Sequence, residues 1–414
     1  MIKEIYQRYA WKIREIGHRG GREKYRKRIK GAILAECAAV AILTAGLWRR
    51  AGEEAESASS HVLSVENDYI KWVDFTVSYE ALCKAYEWDV KTHGTDYEIS
   101  WVDLLAYTAA KTGGKFDNSS LKTMEKAAEA ISQGDKTLEE MTADMKYFSY
   151  YQEAYDAAIG GLVGEYQEEV LDEAGNAAYE QRYGLKGYFP LARGFDYTHY
   201  DDFGVGRSYG YERKHLGHDM MGLVGTPIMA VESGVVEALG WNQYGGWRIG
   251  IRSFDGKRYY YYAHLRQNYP YAEGLEEGSV VTAGDVIGYM GHTGYSTEEN
   301  VNNIKIVHLH WGLQLIFDES QKEGNNEIWI DIYPLTRFLA KHTQAAVKVE
   351  GTKEWVRTNQ IVDPAVEEYE VGNSEEMKTP TKEILPEMDE RLEKQPEILE
   401  SSESSKSFQS IIKM

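Results

Sequence analysis

Residues 305–317, KIVHLHWGLQLIF, set two histidines one position apart inside an apolar run. Alternation of this kind suits a β-strand, where side chains at i and i+2 leave the same face. His308 and His310 then point into one space, while Leu309 and Trp311 point the other way. Two neighbouring imidazoles make a site only if something binds them. The chain has only two cysteines, Cys37 and Cys83, and the first lies in an apolar segment. An intrachain disulfide is therefore not expected, and a cysteine-rich zinc finger is excluded. Any metal site must be built from His, Asp and Glu.

At 414 residues the chain is long enough for two or three units. A net charge of −20 argues against nucleic-acid binding on bulk electrostatics. That charge is unevenly distributed, because residues 1–30 are dense in Lys and Arg and precede the run GAILAECAAVAILTAGLW at 31–48. The run would be roughly 27 Å long as a helix, close to the hydrocarbon thickness of a bilayer. Its length exceeds the ~7–15 apolar residues of a secretory signal peptide, which favours an uncleaved anchor. Glu36 inside it would cost on the order of 2–3 kcal/mol. With the cations before the span, residues 1–30 are expected in the cytoplasm and the rest of the chain outside the cell membrane.

Residues 49–68 read as a polar linker, and 69–183 as a small all-α domain with caps supplied by the YEIS and DNSS edges. Residues 184–345 change texture to short β-type runs separated by glycines, with Asp255-Gly256 marking a hairpin whose turn needs positive φ. Residues 346–414 are acidic, with Pro380, Pro386, Pro396 and a Ser/Glu cluster, and are expected to be a mostly disordered tail. The fold class expected is therefore α+β and multidomain: a transmembrane helix, an all-α domain and an antiparallel β-rich domain. Within the helical stretch, LLAYTAAKTGG resembles the helix of lysozyme-like lytic transglycosylases that ends in Glu-Ser-Gly-Gly. Lys111 stands at the glutamate's place and cannot act as its carboxylic acid. That resemblance implies at most a shared fold without glycosidase activity; an unrelated helical spacer is the other reading.

Three stretches of the β-rich part bring candidate ligands. RKHLGHDMMG holds His215 and Asp219 as HxxxD, YYYYAHL ends in His264, and VHLHWG carries His308 and His310. A catalytic zinc takes three protein ligands and leaves a fourth position open for water. In order, HxxxD, GTPIMAVESGVV, YYAHL, VTAGDVIGYMGHTGYST and HxH resemble the lysostaphin-type zinc metalloendopeptidases, peptidoglycan-cleaving enzymes that share the LytM domain. The resemblance covers about residues 204–317 and implies a duplicated hybrid motif, or barrel-sandwich, for the domain. It implies Zn2+ held by His215, Asp219 and His310, with His264 and His308 beside the open position to deprotonate water and steady the oxyanion. It also suggests Tyr209, with Tyr211 as its rival, as a further stabiliser of the tetrahedral intermediate. His218 reads as a residue behind the ligands or in solvent, His292 as a loop residue, and His199 has no evident partner. The chain departs from the family in the long insertion TEENVNNIKIV before HxH and in Trp311-Gly312 after it.

Two classes of function follow. The first is a membrane-anchored zinc endopeptidase acting on peptidoglycan peptides. The alternative is a catalytically silent LytM-type scaffold or activator in a cell-envelope complex, such as a sporulation channel or a conjugation or secretion apparatus.

Overall fold

The computed structural model describes residues 69–171, 175–208, 212–322, 324 and 326–376. The basic segment, the 31–48 span, Tyr209, Tyr211 and the tail from 377 lie outside the described residues. Among the described residues no helix is long and apolar enough to cross a membrane.

Helices lead the described chain: α1 (Tyr79–Thr92), α2 (Trp101–Thr112), α3 (Asn118–Ser132), α4 (Leu138–Thr142) and α5 (Phe148–Ile159). Their starts are set by side-chain oxygens that take orphan backbone N–H groups. Ser78 caps α1, and Asp117 accepts from Ser119 and Ser120 at α3. Thr137 and Glu140 form a reciprocal capping box at α4. At the other end of α2, Gly113 takes φ 68°, a left-handed cap that suits glycine.

Strands follow: β1 (Val163–Leu171), β2 (Ala177–Leu185), β3 (Thr198–His199), β4 (Gly206–Ser208), β5 (Glu212–Lys214), β6 (His218–Met221), β7 (Pro227–Met229), β8 (Gly234–Asn242), β9 (Gly246–Ser253) and β10 (Arg258–Ala263). After them come β11 (Val280–Val281), β12 (Val286–Tyr289), β13 (His308–Leu315), β14 (Ile328–Trp329), α6 (Tyr333–Leu339), β15 (Ala346–Lys348), β16 (Trp355–Arg357), β17 (Ile361–Val362) and α7 (Pro364–Glu376). The main sheet runs β11-β8-β9-β10-β13-β6-β3, with β14 on β13, and its pairings are antiparallel. A second sheet is ordered β17-β1-β2.

The expected strand at 308–315 is present. Leu309 and Trp311 are fully buried on one face, as the alternation requires. The Asp255-Gly256 hairpin is also present, but its loop has four residues and only Gly256 has positive φ, at 73°.

Three expectations need correction. Residues 163–171 are strand rather than helix: the run VGEYQEEVL is rich in helix formers, yet it pairs along its whole length with 177–185. The acidic tail does not begin at 346, because β15–β17 and α7 are ordered. Glu354 accepts from the Tyr269 and Tyr289 hydroxyls, and buried Asp363 holds Lys186 at 2.8 Å. Lastly, the helices do not close a core of their own. Their inner faces include small residues such as Ala81, Ala85, Ala106 and Ala158, and one continuous cluster runs from them into the main sheet. Phe338 of α6 meets Tyr86 and Trp101 at ring distances of 5.5 and 5.7 Å.

A buried charge network adds to that junction. Arg258 on β10, 2 % exposed, makes a two-pronged pair with Glu232 at 2.7 and 3.1 Å. Its remaining amino group donates to the carbonyls of Asp156 and Ala157 in the last turn of α5. The Ala157 carbonyl, in the last turn, would otherwise lack a helical partner, whereas that of Asp156 also accepts from the Gly160 N–H.

Candidate metal centre and substrate cleft

Register on the main sheet assembles the site. β6 and β13 pair so that Asp219 lies directly across from His310, while His215 sits in the turn that leads into β6. Their ligand atoms form a nearly equilateral triangle. His215 Nε2 lies 3.0 Å from Asp219 Oδ1 and 3.0 Å from His310 Nδ1, and His310 Nδ1 lies 2.9 Å from Asp219 Oδ1. For zinc bonds near 2.05 Å a tetrahedral edge is about 3.3 Å, so these donors fit such an ion with small adjustments. Two imidazoles and one carboxylate also suit zinc chemically.

The supporting contacts orient the donors. His215 Nδ1 faces Asp202 at 3.2 Å, which leaves Nε2 for the site. Asp219 Oδ2 accepts from Arg207 at 3.0 Å, and Arg207 also binds Asp202. Burial pushes the Asp219 carboxyl up, but the bonds from His215 and His310 outweigh it and hold the group well below the usual carboxylate range. Gly217 is required for close packing: a Cβ there would lie 2.5 Å from His310 Cε1 and 2.9 Å from the Trp311 carbonyl.

His264 and His308 stand beside the triangle, their rings 4.7 Å apart. His264 follows β10 with φ 63°, a left-handed conformation that costs a non-glycine residue energy and turns its ring toward the site. Its Nδ1 lies 3.0 Å from the Thr293 carbonyl, and His308 Nδ1 lies 2.8 Å from that of Ile306. A carbonyl can only accept, so each Nδ1 carries a proton, and in the neutral ring Nε2 is then the acceptor. Burial, reinforced by His308 and His310, pushes His264 well below the ordinary histidine value. The five sequence-derived residues thus come together in one cleft of about 650 Å³.

Other histidines take different places. His218 points to the opposite face of β6, where its Nε2 lies 2.8 Å from His199 Nδ1 and its ring meets Tyr333. His199 therefore has a partner that its sequence context did not suggest. His292 is anchored to the Ile304 carbonyl at 2.7 Å. The insertion before HxH forms one wall of the cleft through Ile304, Lys305 and Ile306, held by Asn300, which bonds Trp247 and Asn268. Gly312 gives Trp329 room to lie over the strand, since a Cβ would reach 2.9 Å from its ring. Sequence reasoning missed Asp202 and Arg207, whose only signal was their nearness to HxxxD. It also missed Arg213, Arg248 and Tyr261, which line the cleft from separate elements.

Residues 213–323, which span the ligand triangle and both flanking histidines, match the description Peptidase family M23. The chain carries a peptidase family M23 domain. The M23 domain is similar to part of the L-Ala–D-Glu endopeptidase of Bacillus subtilis, 37% identical over 154 residues covering 37% of this chain and 44% of that protein. It is similar as well to lysostaphin of Staphylococcus simulans, 36% identical over 94 residues covering 22% of this chain and 18% of that protein. Among solved structures, lytM from Ruminococcus gnavus is 25% identical with a TM-score of 0.45, covering 67% of this chain and 92% of that one. The chain spans less than half the length of the curated relatives it matches.

Proposed function

We propose that this chain is a zinc-dependent endopeptidase that hydrolyses peptide bonds in bacterial peptidoglycan. The observation that carries the reading is the convergence of His215, Asp219 and His310, with ligand atoms within 4.8 Å of one another, in a cleft that also holds His264 and His308. The endopeptidase relatives support the reaction type. Zinc, when bound, polarises a carbonyl and acidifies the water it carries. Asp219 contributes a single negative charge, which leaves the centre net positive. In this reading the Nε2 atoms of His264 and His308, the ring nitrogens not bonded to a backbone carbonyl, take the proton from the attacking water. Once protonated, either imidazole becomes a donor for the developing oxyanion or the leaving amine. Tyr209 is proposed as a further oxyanion donor.

In this reading residues 31–48 hold the enzyme in the cell membrane, with the peptidase domain outside. The apolar run and the cations before it support that placement. Carbonate extraction of membranes tests it: retention in the pellet is expected, and release into the soluble fraction would remove the anchor. The hydrolase reading is tested by incubating the full chain with purified cell wall and counting new amino ends by mass spectrometry. Release that needs zinc and falls by about 10²- to 10⁴-fold in His308→Ala is expected. No new amino ends from the zinc-loaded wild type would overturn it.

A further inference from the structure

The cleft has a charge opposite to that of the protein. The chain carries −20 overall, yet among the described residues six of the cleft-lining side chains are Lys or Arg and two are carboxylates. Two of the cations have carboxylate partners: Arg207 binds Asp202 and Asp219, and Lys322 binds Glu237. Lys214 and Lys305 are exposed on the rim. Arg213 and Arg248 differ in having no carboxylate partner among the described residues: Arg213 bonds the Tyr295 hydroxyl and Arg248 that of Tyr259, and the Nε of each, like that of Arg207, is buried without a hydrogen-bond partner. A buried guanidinium donor left unpaired is costly, so a cleft built this way is incomplete without an acceptor.

The two guanidiniums line the same cleft, and Arg213 is held there by two tyrosines. Arg213 lies 5.2 Å over the Tyr295 ring, donates to its hydroxyl, and lies 5.8 Å over Tyr244. Both arginines act electrostatically on the Tyr261 hydroxyl, opposing the burial that raises it. The Tyr261 ring is 6.0 Å from that of His310, and the Tyr295 ring is 6.0 Å from that of His264. An extended peptide advances about 3.3–3.6 Å per residue, so a group held there lies within one or two residues of the bond at the metal centre.

We infer that the cleft selects peptides with a free carboxylate beside the scissile bond, and that Arg213 and Arg248 bind that carboxylate. The inference rests on the hydrolase reading above and deepens it by naming the substrate class. It favours a junction such as the L-Ala–D-Glu of the Bacillus subtilis relative's name, which offers a carboxylate, over a junction between neutral residues, which offers none. Guanidinium–carboxylate pairs are short, charge-assisted and geometrically selective, whereas a carboxamide of the same shape presents no charge.

The test uses the full chain, purified in detergent and loaded with zinc, and two synthetic peptides. Both contain Ala–γ-D-Glu; one has the free α-carboxylate and the other the α-carboxamide. Hydrolysis of either peptide upholds the hydrolase reading, and the ratio of the two decides the inference. A kcat/KM preference of about tenfold or more for the carboxylate peptide is expected, expressed mainly in KM and shrinking as salt is raised. Arg213→Gln and Arg248→Gln should each reduce that ratio, and Arg248→Lys should restore part of it. Equal rates on both peptides, or a preference that survives both substitutions, would overturn the inference while leaving the hydrolase reading intact. If neither peptide is cut, the cell-wall assay above decides the hydrolase reading, and anisotropy of fluorescent versions of the same peptides decides the inference. Tighter binding of the carboxylate form that both substitutions abolish supports the inference; equal binding overturns it.

Discussion

Replacing Gly217 with alanine tests how the fold places its second histidine ligand. The new Cβ would lie 2.5 Å from His310 Cε1, 2.6 Å from Nε2 and 2.9 Å from the backbone oxygen of Trp311. Carbon atoms pack comfortably at about 3.5–4.0 Å, so something must move by roughly 1 Å. The Trp311 carbonyl belongs to a central strand and resists, so the His310 ring gives way. Its Nδ1 now sits 2.9–3.0 Å from the other two donors. Metal sites tolerate errors of only about ±0.2 Å in ligand distance, so a ring displaced by that much loses its place in the shell. Zinc affinity should fall by on the order of 100-fold, and overpacking should cost about 1–3 kcal/mol of stability. The assay is competition for zinc against a chromophoric chelator, run beside urea denaturation of the metal-free protein. Gly222→Ala is the control. Its Cβ would meet the flexible end of Met290 at 2.9 Å, away from the ligands, so its zinc affinity should match wild type. Wild-type affinity in Gly217→Ala would refute the claim that this glycine sets the ligand geometry.

Two further outcomes follow from buried charge. Glu232→Gln leaves Arg258 with Asp255 as its one anionic partner among the described residues and should cost about 3 kcal/mol in urea denaturation; a change near zero would show that the network does not secure the helices to the sheet. The second concerns pH. Burial pushes His218 down to about 3 from an ordinary 6.5, so below 6.5 the unfolded chain binds a proton that the folded chain refuses, and stability falls with pH. Between pH 7.5 and 5.5 the loss from His218 alone is about 1.4 kcal/mol, and His264 acts in the same direction. Asp89 and Asp103, whose values burial raises, act in the opposite sense nearer the carboxylate range. Measured on metal-free protein, His218→Asn should flatten this dependence; an unchanged slope would contradict the assignment.

How far the sequence reaches can be judged residue by residue. The strand at 308–315 was legible because alternation alone separates His308 and His310 from Leu309 and Trp311. The donor set was legible through the family resemblance, which singles out His215 and Asp219 from HxxxD and His310 from HxH. The pairing of Asp219 with His310 was not, since register between β6 and β13 is a tertiary property. Residues 163–171 misled for the same reason: their Glu-rich run suits a helix, and only the partner strand at 177–185 decides otherwise. Arg213 and Arg248 carry no motif. They matter because β5 and β9 deliver them to one cleft, where neither has a carboxylate partner among the described residues.

X-ray absorption spectroscopy of the zinc-loaded protein tests the central claim most directly. The account requires one zinc per chain, bound by two imidazole nitrogens at about 2.0–2.1 Å, one carboxylate oxygen at about 2.0–2.2 Å and one further light atom, with that signature lost in His215→Ala and His310→Ala. No retained zinc, or a shell unchanged by those substitutions, would contradict it.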